Sequence, residues 1–589
     1  MEKPNKSFFL VRCHVNLLIL LTLTAFYYLP GTVKCEPYSG FSTGSERLFV
    51  HLEKLVYVTG ESLKYKVYLL NGTSPDKAPC SKILYFTLAG VEGNTRADWR
   101  INLGERPVSG SFTIPGDMKA GIYVLRAYTN LMRNGPVQQV YAQHVLIMSL
   151  SEVTPETLMI PLSGDTVAGT EPVIVQNGYM LKLATTKASY TVNEKIKILI
   201  DPDFQQMPEN NADLSVSVSA VTPFQELIPE TDIYACLKRE TNHSEITDLP
   251  CKYPVENKGF ILTGRIRHRD NPAPLSNAKI LLSVTDSIAP QILYTETDAA
   301  GEFRFYLSSI YDNMDLILQF GDQSRYADYI WEVDHKAIYG GHLSTEPVLL
   351  QQQSVAFLNA IKDLRLIEAI YTSEKPVMKQ KSGVRDVKYF SPPDFIIYPG
   401  DYLELVNFKE IADNILPDVK LMIRNREVTL QILNKRTKLW QENNMVLLNG
   451  VPYTDLAYIA TLGTKDIQRI EVISENLLLG KLTLPCLISI YTYDNMIPEN
   501  FLKNNTFTYR NLVIPNNPDN EPIPEVVPGE HDPDFRTTLY WNPHVILSGK
   551  ETLALEFPAS RFKSLYTVKI RGFTGKGYPL RADTSFEVK

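Results

Sequence analysis

Residues 446–492 read VLLNGVPYTDLAYIATLGTKDIQRIEVISENLLLGKLTLPCLISIYT. Three apolar runs stand here in a fixed order. Val446-Leu447-Leu448 ends on Asn449-Gly450-Val451-Pro452, Asp466-Ile467-Gln468-Arg469-Ile470-Glu471-Val472 follows, and Leu487-Ile488-Ser489-Ile490-Tyr491-Thr492 closes the stretch. Val446, Leu447, Leu448, Ile470, Val472, Ile488 and Ile490 supply the faces of a small sheet, and the run Leu477 to Leu484 can cover it. Burying each such side chain is worth roughly 1.5–3 kcal/mol, so nearly all must be buried to offset the ordering cost of a unit this size. The pattern predicts a compact α+β unit over about residues 390–495, with a helix within Glu404 to Leu416 and the unit packed on its neighbours.

The order of these elements resembles the plug domain of TonB-dependent outer-membrane receptors. The resemblance implies that Asn449, Gly450 and Pro452 form a hairpin region and that Asp466 and Glu471 belong to a segment leading into a strand. It gives all five a structural role. Gly450 is expected to need an unusual backbone angle. In those receptors the plug sits inside a large β-barrel, but only about 100 residues follow here, far short of the strands such a barrel needs. At Leu477 to Pro485 the sequence departs from the plug pattern, which weakens a barrel-docking role.

Outward from this stretch, short alternating runs dominate. Val56 to Leu70 reads VYVTGESLKYKVYLL, with Leu63, Tyr65, Val67 and Leu69 on one face. Such alternation marks half-buried strands, and the turns Pro115-Gly116 and Ala120-Gly121 separate the runs at β-sandwich spacing. Leu48-Phe49-Val50-His51-Leu52-Glu53-Lys54, Tyr57-Val58-Thr59-Gly60-Glu61 and Gly121-Ile122-Tyr123-Val124-Leu125-Arg126-Ala127-Tyr128-Thr129 resemble the macroglobulin-type domain of α2-macroglobulins and bacterial envelope proteins, over residues 45–150. The continuation Asn130 to Asn134 fits exported proteins of Bacteroidetes type. The pattern Lys54-x-x-Tyr57-x-x-Gly60-Glu61-x-Leu63-x-Tyr65 recurs as Lys187-x-x-Tyr190-x-x-Asn193-Glu194-x-Ile196-x-Ile198. Gly and Asn both accept φ > 0, so one tight turn fits both places. A second macroglobulin-type sandwich is expected over 175–255.

Thr297-Asp298-Ala299-Ala300-Gly301-Glu302-Phe303-Arg304-Phe305 resembles the signature of carboxypeptidase regulatory-like domains, over 258–344. Asp298 to Gly301 is expected to turn a hairpin, with Phe303 and Phe305 facing a core. That domain is an accessory in the enzymes that carry it. A partly helical connector is expected at 345–389, from the apolar spacing of Gln352 to Ile370. A Pro- and Asn-rich linker follows at 505–534, and a last sandwich-like domain at 535–589. The expected fold is mainly β: tandem β-sandwiches plus the small α+β plug-like domain.

The composition is that of folded globular protein, 44% hydrophobic and 21% charged. A net charge of −7 argues against a general nucleic-acid binder. Lys3, Lys6 and Arg12 precede the apolar run Val15 to Leu29, as in a secretory signal peptide over 1–34, too short for a membrane span. An uncleaved anchor and lipidation at Cys35 are alternatives. Export permits disulfides, and Cys236 with Cys251 would close a loop of about 15 residues. Chemistry is sparse. Gly40-Phe41-Ser42-Thr43-Gly44 matches a nucleophile elbow literally but follows the signal directly, outside any α/β pattern. Glu530, His531, Asp532 and Asp534 form the one acidic cluster a metal could use, and read better as linker residues. The Cys-Gly-Glu-Gln thioester of protease-trapping macroglobulins is absent, as are phosphate loops. No cofactor is expected. The expectation is an exported, non-enzymatic protein of the periplasm or outer membrane, acting as a scaffold for a protein partner. An accessory docking with a separate outer-membrane barrel, or an enzyme with an unrecognised site, are the alternatives.

Overall fold

The computed structural model describes residues 46–71, 81–90, 93, 95–103, 108–135, 140–161, 181–202, 211–238, 253–284, 291–307, 315–321, 328–334, 345–372, 392–425, 427–510, 513–514, 534–548, 551–575 and 578–589. Within them the chain is mainly β, with three two-sheet sandwiches and one smaller α+β unit. The expected signal peptide, Cys35 and the Gly40 to Gly44 motif lie outside the described residues.

In the first sandwich, strands Glu46–Leu52, Ser62–Asn71 and Val108–Thr113 form one sheet. The facing sheet runs Val56–Val58, Tyr141–Met148, Gly121–Thr129, Ile83–Gly90, Thr95–Asn102. The alternation read in the sequence places Tyr65 inward, where its ring meets Phe86 at 5.0 Å and Phe112 at 5.8 Å.

The second sandwich repeats this order strand for strand. Leu181–Thr185, Lys195–Pro202 and Leu553–Pro558 form its first sheet. Ser189–Tyr190, Pro579–Val588, Ser564–Thr574, Asn211–Ala220 and Thr538–Ser548 form its second. The repeated motif builds the same corner in both. Glu61 ion-pairs with Lys54 and accepts the Val58 N–H at 2.9 Å; Glu194 ion-pairs with Lys187 and accepts the Thr191 N–H at 2.8 Å. Gly60 has φ +80° and Asn193 φ +64°. Gly60 N–H donates to the Ile114 carbonyl at 3.0 Å, and Asn193 N–H to that of Ala559 at 3.2 Å.

This corrects the expected division. Residues 175–255 and 535–589 do not make two sandwiches; their strands interleave in one. The physical reason is burial. Ile196, Ile198, Leu214, Val216 and Val218 are covered by Phe557, Tyr566, Val568, Ile570 and Phe586, and neither half has a core without the other. In the first sandwich Ile83–Gly90 and Thr95–Asn102 pair antiparallel with only four residues between them in the sequence. The equivalent pair, Asn211–Ala220 and Thr538–Ser548, also runs antiparallel, but residues 221–537 lie between its strands. The described elements between these two strands, from helix Ile233–Lys238 through the third sandwich and the α+β unit, are thus inserted into one hairpin, closed at its base by Ala220 N–H to the Thr537 carbonyl at 2.8 Å.

The insertion holds the third sandwich. Glu302–Leu307, Phe260–His268 and Tyr329–Val333 face Gln291–Glu296, Lys279–Val284, Asp315–Phe320 and Phe507–Arg510. Asp298 accepts the Ala300 and Glu302 N–H groups, both at 2.9 Å, which turns the hairpin, and Phe303 and Phe305 are buried. Strand Phe507–Arg510 comes from the expected linker at 505–534, and Val513–Ile514 pairs in parallel with Arg100 and Ile101 of the first sandwich. The first part of that linker is therefore structural.

Thr345–Leu349 pairs with Thr157–Pro161, and helix Gln352–Thr372 sets Leu358 and Ile361 against Val56, Ile122 and Met148. In the α+β unit, Phe395–Ile397, Ile467–Ile473, Leu487–Thr492, Met445–Leu448 and Val451–Pro452 form a five-stranded sheet. Helices Phe408–Asn414, Leu456–Thr461 and Glu499–Asn505 and the sheet Val419–Arg424, Glu427–Leu433, Trp440–Gln441 complete it. The hairpin Leu477–Leu479/Leu482–Leu484 covers Leu447, Ile473 and Leu487 and also Leu281 and Ile292 of the third sandwich. At its tip Gly480 (φ +60°) lies so close to Tyr294 that a Cβ would stand 2.0 Å from the ring.

Candidate functional site

The first two sandwiches meet along a polar seam. Strands whose outward residues would ordinarily face water are here pressed together. His51 Nδ1 lies 2.6 Å from Ser215 Oγ, and His51 Nε2 lies 3.3 Å from Ser217 Oγ. Tyr68 OH donates to the Arg571 carbonyl at 2.9 Å and contacts Ser215 Oγ at 2.9 Å. Lys66, 1% exposed, donates to Asp213 at 2.5 Å. Trp541 packs edge-on against the His51 ring at 5.3 Å.

Beside this lies an ionic cluster. Arg571 donates to Asp583 at 2.6 Å and to Glu230 at 3.3 Å, and Lys569 donates to Glu230 at 2.6 Å. Burial alone would raise the Glu230 carboxyl; Arg571 and Lys569 outweigh it and hold it well below the usual carboxylate range. Burial, aided by Arg571, pushes His51 well below its ordinary value and keeps the imidazole neutral.

A serine 2.6 Å from a neutral histidine is the contact that nucleophilic catalysis uses. Here both residues are fully buried and capped by Trp541, so no substrate reaches the serine in this packing. The seam acts as a lock between two sandwiches.

In the first sandwich the Glu53 carboxyl is shifted towards neutrality. Burial raises Glu53 from 4.5 to about 7, with Lys64 4.0 Å away as a weak counter-charge. Below pH 4.5 the group is protonated folded or unfolded and has no effect. Between 4.5 and about 7 only the unfolded chain ionises freely, so stability falls by about 1.4 kcal/mol for each pH unit and then levels. Glu53→Gln should match the parent at pH 4 and melt higher at pH 8. Melting curves across this range check it, and a gap that does not change with pH would remove the assignment.

The residues singled out in the plug-like stretch all organise local structure. Asn449 (φ +50°) and Gly450 (φ +83°) turn the hairpin between Met445–Leu448 and Val451–Pro452. The Asn449 amide donates to Thr492 Oγ1 at 2.8 Å and the Met496 carbonyl at 2.7 Å, and accepts the Thr492 N–H at 2.9 Å. The Pro452 carbonyl accepts from Gln319 of the third sandwich at 3.0 Å. Asp466 accepts the Gly463 N–H at 2.8 Å, and Glu471 accepts from Arg469 at 2.9 Å. Of the acidic cluster, Asp534 is buried and held in two contacts of 2.8 Å by Arg536. Glu530, His531 and Asp532 lie outside the described residues. Among the described residues no cluster suited to a metal ion occurs. Cys236 is buried in helix Ile233–Lys238. Cys251, and with it the expected disulfide, lies outside the described residues.

The α+β unit exposes a face that the periodicity of its strands did not reveal. Tyr398, Tyr402, Leu403 and Val406 stand on one segment, and Tyr493 and Met496 on another, with Leu403 87% exposed. The segments adjoin, since a Cβ on Gly400 would lie 3.1 Å from the Tyr493 hydroxyl. Asp466, Asp494 and the Glu404–Lys465 ion pair surround them. Among the described residues no helix is long and apolar enough to cross a membrane.

No family model matches the chain, and no curated protein matches it. Among solved structures, it is similar to trypsin-activated alpha-2-macroglobulin from Escherichia coli, at 8% identity over 92% of this chain and 41% of that one, with a TM-score of 0.22. The native conformation of E. coli alpha-2-macroglobulin is similar at 9% identity over 93% of this chain and 40% of that one, with a TM-score of 0.23. Salmonella alpha-2-macroglobulin reacted with methylamine is similar at 8% identity over 92% of this chain and 39% of that one, with a TM-score of 0.22. The chain spans about two fifths of the length of these structures.

Proposed function

We propose that the chain is a non-enzymatic, exported scaffold of the cell envelope that holds a protein partner on its α+β unit. The observation that carries this reading is the exposed face of Tyr398, Tyr402, Leu403, Val406, Tyr493 and Met496 with its acidic surround. Aromatic and aliphatic side chains concentrated on one patch mark binding surfaces, and tyrosines are enriched at protein interfaces. The third sandwich supports the unit through the Leu477–Leu484 hairpin and the Gln319 contact to the Pro452 carbonyl. Burial of Leu477 and Leu484 against Leu281 and Ile292 favours this reading over an accessory that hands the unit to a separate outer-membrane barrel. The neutral, enclosed Ser215–His51 pair supports the non-enzymatic part.

A photo-crosslinking residue at Leu403, compared with one at exposed Tyr306 of the third sandwich, tests this in envelope fractions. The expected result is one discrete protein adduct from position 403, lost with Tyr402→Glu, and none from 306. Equal labelling at both positions, or no adduct from either, would overturn the reading.

A further inference from the structure

The structure pairs most of its buried cations with an anion. Arg571 holds Asp583 and Glu230, Arg133 holds Asp334, and Lys66 holds Asp213. Arg126 is the exception among the described residues. It lies on Gly121–Thr129, in the middle of the large sheet of the first sandwich, and is 6% exposed. Its Nη1 is buried with no hydrogen-bond partner. Directly opposite on the next strand stands Thr87, whose buried hydroxyl also has none. On the other flank Arg126 faces Ala142, and His144, two residues further on, is its diagonal neighbour and buried. Burial, with Arg126 beside it, lowers His144 to about 4, so at neutral pH the ring is uncharged and keeps one N–H to donate. The nearest carboxylate in this row is Asp98, across from Thr87 and therefore one strand further from Arg126; it is half exposed and turned to Arg100 at 4.0 Å.

We propose that Arg126, Thr87 and His144 form a binding site for one small oxyanion. A guanidinium, a hydroxyl and an imidazole N–H on adjacent strands of one sheet face are the donors such a group takes. Orphaned buried donors beside an unpaired buried cation are the mark of a missing acceptor. Three donors this close in one strand register suit a compact group, such as inorganic phosphate or sulfate, or a single carboxylate as at a peptide terminus. These share the same recognition chemistry, and the three sources separate in the test.

The test uses the full chain at fixed ionic strength, with sodium phosphate, sulfate or acetate replacing chloride. Binding to the folded state raises the melting temperature in proportion to the logarithm of anion concentration once the site is filled. The expected result is a concentration-dependent rise with phosphate or sulfate, or with acetate if the natural source is a carboxylate, and none with chloride. Arg126→Met should abolish the rise and, in chloride, melt no lower than the parent, because it removes an unpaired buried charge. Should that variant fail to fold, Thr87→Val, which keeps the shape and loses one donor, should shift half-saturation by about tenfold. No response of the parent to any of the three anions, or the same response in Arg126→Met or Thr87→Val, overturns the site.

Discussion

Truncation after residue 534 should unfold the second sandwich as a whole. Read as a string of modules, the chain would lose only a terminal domain. In the structure, Thr538–Ser548, Leu553–Pro558, Ser564–Thr574 and Pro579–Val588 are four of the eight strands of one sandwich, and Asn211–Ala220 lies between two of them. Removing them uncovers Ile196, Ile198, Ile200, Leu214, Val216 and Val218 at once. At roughly 1.5–3 kcal/mol for each of these six side chains the loss is about 9–18 kcal/mol, as large as the whole 5–15 kcal/mol that holds an ordinary domain folded. It also strips the seam of Arg571 and Trp541, so the first sandwich loses its polar lock. Hydrogen exchange on the truncated protein reads this directly. The amides of Lys195–Pro202 and Asn211–Ala220 should exchange as in an unfolded chain, while Phe260–His268 and Glu302–Leu307 keep their protection. Retained protection at Asn211–Ala220 would mean that the N-terminal half folds alone.

The origin of this difference shows what periodicity carries and what it does not. Alternation in Lys195–Pro202 or Ser564–Thr574 states that a strand exists and which face is apolar, but pairing is a property of two segments. The recurrence of Lys54 to Tyr65 at Lys187 to Ile198 was legible, down to Asn193 standing where Gly60 turns, because the corner is local and needs φ > 0. That the strand equivalent to Val108–Thr113 comes from Leu553–Pro558 was not, because nothing near residue 200 records it. The Thr297 to Phe305 hairpin and the Asn449-Gly450 turn were legible for the same local reason. The seam was hidden by its chemistry. Lys66, Asp213, Ser215 and Arg571 occupy alternate positions that read as a solvated face, and only the meeting of two such faces buries them. Arg126 was hidden in the other direction, inside a motif that reads as fold-defining throughout.

Arg571→Ala should weaken the junction of the two sandwiches by about 3–5 kcal/mol, the range for breaking a buried ion pair. The side chain is 2% exposed, and its loss both opens a cavity and leaves Glu230 with Lys569 alone and Asp583 with Arg581 alone. The pH dependence separates these causes. Glu230 is held below its unfolded value, so its contribution is present above pH 4.5 and is lost as the pH falls through its folded value. His51 is also depressed, so below pH 6.5 the unfolded chain takes up a proton that the seam refuses, and the parent loses further stability. Arg571 contributes to both shifts, so its removal should leave a junction that is weaker at neutral pH and less sensitive to acid. The deficit of Arg571→Ala against the parent should therefore be largest at pH 7 and shrink towards pH 4. Arg571→Met restores much of the packing but not the charge, and should keep the same pH profile with a smaller deficit. Hydrogen exchange at Glu46–Leu52 and Asn211–Ala220 reads the junction locally, which a global melt of a multidomain chain does not. A deficit that stays constant from pH 7 to pH 4 would remove the His51 share of the coupling, and one that stays constant below pH 4.5 as well would assign the loss to the cavity and remove the ionic cluster as the lock of the seam.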